Sequence, residues 1–149
     1  METYDFEKLS REIVLSRAKE SQDDAALASR AAREVIVTAI EGTRFRQEPR
    51  TTVKDVCRGV IGGLLISGKK LPEAAVAILR QMAEISDKVH LDPMELMTWG
   101  MEGIASVAVA ARAEERSAVS SAISTAFMGA GEVFRALCDE AASKKPKTG

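Results

Sequence analysis

The sequence predicts an all-α fold, a single-domain helical bundle of about five to six helices over residues 1–142, followed by a flexible basic tail at 143–149. Three observations carry this. Apolar residues make up 46% of the 149-residue chain but aromatics only 4%, so the core rests on alanine and aliphatic side chains. That composition suits closely packed helices, whereas a β-sandwich draws on β-branched and aromatic residues. Apolar positions recur at helical spacing and no segment alternates for long as a strand does. Proline and glycine fall where helices start and stop. The length fits one domain with a core that needs no disulfide or metal.

The first helix is expected to start near Thr3 or Asp5, with Phe6, Leu9, Ile13 and Val14 on its inner stripe. Ser21-Gln22-Asp23-Asp24 reads either as an N-cap with first-turn acids or as the polar face of one longer helix, and the former, a break or kink near Glu20 to Ser21, is favoured. A second helix then runs from about Asp23 to Arg44, with a stripe of small residues at Ala28, Ala32, Val35, Ala39 and Gly42. Arg46 to Arg50 reads as a loop around Pro49. Thr52 with Asp55 resembles a capping box that opens the third helix. Val53, Val56, Cys57, Val60 and Leu64 form its apolar face, and Gly68 stops it.

Pro72 is placed as the first residue of a fourth helix, whose Ala75, Ile78, Met82, Ile85 and Val89 keep heptad spacing. Asp92-Pro93 with Glu95 is the strongest start signal in the chain and opens the fifth helix. That helix carries Met97, Met101, Ile104, Ala108 and Ala111 inward, and it should end or kink between Ala113 and Ser117. A sixth helix is expected to bury Val119, Ile123, Ala126, Phe127, Ala130, Val133, Phe134 and Leu137 in one run.

The most continuously apolar stretch, Arg58 to Ile66, contains Gly59, Gly62 and Gly63. Glycine inside a helix costs roughly 1 kcal/mol against alanine, so close approach of another helix should offset it. Gly100 and Gly103 repeat the Gly59/Gly62 spacing at an offset of 41, compatible with a duplicated helix pair. Two copies are fewer than a solenoid needs, and chance in a sequence rich in alanine and glycine explains the match better. If the glycine face meets a partner helix, Gly62→Leu should overpack it.

Net charge is −1, which gives no global pull toward nucleic acid or anionic membrane. The distribution is uneven. Arg44 to Lys70 holds seven cationic and two anionic residues, a net of +5, whereas Glu84 to Glu115 holds the reverse, −5. The two regions could complement one another within a monomer or between subunits. Arg50, Lys54 and Arg58 share one helical face suited to a phosphate or an acidic partner, but no aromatics interleave to stack bases, so nucleic acid is not favoured.

Little points to chemistry. His90 is the only histidine, and with Asp87 three residues before it could offer two metal ligands. A ferritin-like site would need a second such pair, and a histidine near a helix C-terminus is explained by the helix dipole alone. No nucleophile elbow, phosphate loop or dinucleotide fingerprint occurs, so no catalytic residue, no metal and no cofactor is assigned. Cys57 and Cys138 lie far apart in apolar helices and read as buried thiols in a reducing compartment. No basic-then-apolar leader opens the chain, and its longest uncharged run, Ser117 to Gly131, falls short of the ~20 residues that span a bilayer. A cytoplasmic protein is expected.

Trp99 stands one position off the Met97/Met101 stripe, placed for the core or for an interface hot spot. The leading expectation is a non-enzymatic interaction or scaffold protein that self-associates or takes a helical partner through Gly59, Gly62, Gly63, Trp99, Gly100 and Gly103, with Arg50, Lys54 and Arg58 as a charged contact. The alternative is a carrier of a small apolar ligand or a peripheral membrane binder using the Met/Trp helix. A metal-binding or enzymatic bundle around His90 is weaker still.

Overall fold

Aspartate and proline write most of the helix starts. The Asp5 carboxylate accepts the Lys8 N–H at 2.9 Å, Asp23 accepts that of Ala26 at 3.0 Å, and Asp92 accepts that of Met94 at 2.9 Å. Each satisfies one of the four N–H groups that a helix leaves open at its N-terminus. Prolines occupy the first position of two further starts and share a third with Asp92, where the missing donor costs nothing.

The computed structural model describes residues 4–42 and 47–143. Within them lie seven helices and no strand: α1 Phe6–Arg17, α2 Asp24–Glu41, α3 Pro49–Ile66, α4 Pro72–Val89, α5 Pro93–Ala108, α6 Ala113–Ala126 and α7 Ala130–Ser143. The all-helical bundle is as expected, but the count is seven, not five to six. The extra helix comes from the expected sixth, which breaks at Phe127–Gly129. Phe127 is extended and Gly129 takes φ +82°, a left-handed conformation that glycine adopts without steric penalty. The apolar period runs on across this break, and only Gly129 marks it. Val133, expected inward, is accordingly exposed.

Three further boundaries differ. α2 ends at Glu41, with Gly42 as its extended C-cap, before the expected Arg44. Pro49 and Arg50 belong to α3, not to a loop, and Thr52 sits buried within that helix, so the Thr52/Asp55 pair is no capping box. Proline at N1 settled the start three residues earlier. The fifth helix stops at Ala108, before the expected Ala113. Ser143, expected as the first residue of the tail, ends α7. The rest of the predicted tail at 143–149, together with Arg44 and Arg46, lies outside the described residues.

The packing order is regular. α1, α3, α5 and α7 pack side by side in one layer, and α2, α4 and α6 form the other. Helices more than two places apart in the chain have no Cα pair within 8 Å. This is the nearest-neighbour connectivity of stacked helical pairs. The core runs between the layers as one cluster, including Ile36, Val56, Leu64, Ile78, Met82, Ile104 and Phe134, all essentially inaccessible.

Candidate interaction surface

Glycine makes this stacking possible, and it does so within the chain. A Cβ at Gly59 would overlap the Glu7 carbonyl oxygen of α1, and one at Gly63 would come within 3.0 Å of Val14. A Cβ at Gly103 would overlap the Lys54 carbonyl of α3 and lie 3.0 Å from the Cys57 Cβ. A Cβ at Gly100 would lie 3.1 and 3.2 Å from Met82 and Leu79 of α4. The close approach expected of the glycines is therefore satisfied by α1, α3 and α4. Gly62 differs: nothing lies within 4 Å of its would-be Cβ, so no helix of this chain crowds it.

Gly59 and Gly103 do equivalent work. Each lies ten residues after the first-position proline of its helix, Pro49 or Pro93. Each meets a carbonyl and a Cβ three residues apart on the preceding helix of its layer, Glu7/Ser10 and Lys54/Cys57. Their separation is 44 residues, so the structural correspondence is shifted by three from the sequence offset of 41.

The basic stripe is likewise engaged internally. Arg50 donates to Glu102 of α5 at 3.0 Å, and this hydrogen bond is the first cause raising the Arg50 pKa. Arg58 pairs with Glu7 of α1 at 3.4 Å, and Glu7 also meets Arg11 at 3.6 Å. Lys54 lines a crevice of about 50 Å³ with Glu102 and Glu140. The stripe thus ties α3 to both neighbours in its layer. Asp55 beside it has its pKa raised, first by burial and then by Glu7.

His90 caps the C-terminus of α4 in the left-handed region, φ 58° and ψ 45°, and is exposed, as is Asp87. Among the described residues no three His, Cys, Asp or Glu side chains gather as a metal-holding group. Trp99 is half-buried against the core together with Met97, Met101 is buried and Met94 is exposed. Both cysteines are free and buried. Burial alone pushes the Cys57 thiol up to about 12. No helix among the described residues is long and apolar enough to cross a membrane.

What the sequence reading missed is a groove on the second layer. A cleft of about 760 Å³ crosses α2, α4 and α6, floored by Val76, Ala77, Ala122 and Ala126, with Ser29 and Arg80 among its walls. A neighbouring cleft of about 490 Å³ continues from it along α2 and α4, sharing Ser29 and Gln81 and carrying Arg30, Arg33 and Lys88. Small side chains thin the outer faces of α4 and α6 there. The signal available was the Ala122/Ala126 spacing, but it looks the same as a buried small-residue stripe, and only the stacking order turns it outward. Met128 stands fully exposed two residues beyond the groove residue Ala126, in the turn between α6 and α7.

Comparison with protein-family models, with curated proteins and with solved structures finds no match to this chain. The class defined by the fold is an all-helical protein of stacked helical pairs in two layers, with a shallow groove across three successive helices of one layer.

Proposed function

We propose that this is a non-enzymatic interaction protein that self-associates through the groove over α2, α4 and α6. The observation that supports the reading is the groove itself: three neighbouring helices of one layer present small side chains at one surface, while Gly59, Gly63, Gly100 and Gly103 are packed inside the chain. Stacked helical pairs commonly bind through such an extended face. A second copy is the favoured occupant because the chain itself carries a fully exposed apolar side chain, Met128, two residues beyond the groove residue Ala126. A two-fold contact is self-complementary, so each Met128 would rest against the other protomer's groove. Two free cysteines fit a reducing, cytoplasmic setting.

A second reading uses the same cleft for a small apolar ligand, since about 760 Å³ lies within the size range of small-molecule pockets. Native mass spectrometry at gentle and harsh activation separates the two. A bare dimer supports self-association, a monomer carrying extra mass supports the carrier, and a bare monomer contradicts both.

A further inference from the structure

A third cleft, of about 310 Å³, lies between α6 and α7 beside the groove, with which it shares Ser121. Its chemistry is different. Arg116, Ser117 and Ser120 share one face of α6, and Arg135, Cys138 and Asp139 come from α7. The ion pairs among the described residues engage Arg11, Arg33, Arg50, Arg58 and Lys69, which leaves Arg116 and Arg135 with no carboxylate within 4.0 Å. Ser120 is only 6% exposed, and its hydroxyl oxygen is buried with no hydrogen-bond partner. Buried hydroxyls are nearly always paired, and one left alone is a cost that a ligand can relieve.

We propose that this cleft binds a small tetrahedral oxyanion, inorganic phosphate or the phosphate of a monoester. The two guanidinium groups supply the counter-charge and the Ser120 hydroxyl donates one hydrogen bond. Arginine suits this role because its planar fork matches the spacing of phosphate oxygens. Arg116 already exerts its field in the cleft, where it lowers the Cys138 pKa against a larger upward push from burial. Asp139 opposes an anion and weakens the site, so removing its charge has the opposite effect to removing an arginine.

The test is isothermal titration of the full chain at low ionic strength with inorganic phosphate, then with phenyl phosphate. Saturable one-to-one binding is expected, weakened about tenfold by Arg116→Gln or by Arg135→Gln, each with an unchanged Tm. Asp139→Asn should tighten it. Ser120→Ala should weaken binding severalfold while leaving the unliganded Tm equal or higher, which a purely structural serine would not do. Tighter phenyl phosphate would identify the monoester as the natural form, and equal affinity the free anion. Absence of saturable binding, or binding that survives the double arginine variant, overturns the proposal.

Discussion

The α-carbon of Gly103 rests against the carbonyl oxygen of Lys54, so closely that α5 and α3 leave no room for a Cβ between them. The same contact recurs one step earlier, between Gly59 and the Glu7 carbonyl. Backbone-to-backbone contact at these two glycines sets the spacing of the first layer. It also explains why residues with poor helix propensity persist in the middle of well-packed helices.

Gly103→Ala and Gly59→Ala should each force a helix pair apart, because the obstructing atom is backbone and cannot rotate away. Overpacking of this kind costs about 1–3 kcal/mol. Gly62→Ala should do the reverse and stabilise by about 0.5–1 kcal/mol, since its Cβ meets nothing and the unfolded chain loses freedom. Chemical denaturation of the three variants checks both signs, and equal effects at all three positions would contradict the packing account.

His90 holds a left-handed conformation that suits glycine better. His90→Gly should therefore raise stability, by up to about 1 kcal/mol, although it deletes the only histidine. A loss on substitution would mean that the imidazole makes a contact worth more than the backbone strain.

The Glu115 carboxylate at the start of α6 accepts the Leu71 N–H at 2.8 Å, at the N-terminal end of α4. No side chain of α4 itself caps that end. Glu115→Ala should cost about 1 kcal/mol, as loss of an N-cap does, and Glu115→Gln less, because an amide oxygen still accepts. Denaturant midpoints would read this order, and a larger loss in the Gln variant would contradict it.

Cys57 ionises at about 12 in the folded protein, against an ordinary 9.0. The unfolded chain releases this proton first, so the contribution to stability is complete below pH 9 and declines as pH rises toward 12. The decline is at most about 1.4 kcal/mol per pH unit for one proton. Comparing wild type with Cys57→Ala isolates it from other alkaline groups: the difference between their stabilities should narrow above pH 9. A constant difference would contradict the burial of this thiol.

The helix starts were legible because aspartate and proline act locally: Asp23, Pro72 and Asp92-Pro93 each cap or open the helix they were expected to. Gly68 ends its segment with φ +73°, as a stop glycine should. The inner stripe of α4 is as expected at Ala75, Ile78, Met82 and Ile85, all buried, while Val89 at its end is half-buried. The break between α6 and α7 was hidden because the helical period of apolar residues continues through it. The roles of the glycines could be read only as a need for close approach; which helix came close depends on stacking order, which no local pattern encodes. The groove was invisible for the same reason, as small residues facing out look like small residues facing in.

Sedimentation equilibrium of the wild-type protein beside Ala122→Arg tests the central claim most directly. Ala122 lies half-buried on the floor of the α2–α4–α6 groove, where a long cation fits the monomer by turning to solvent but blocks a second copy. The expected result is a wild-type dimer and a folded variant monomer, with a Tm below that of the wild type by the stabilisation that dimerisation supplies. A dimer that survives Ala122→Arg, or a wild type that stays monomeric at high micromolar concentration, would contradict it.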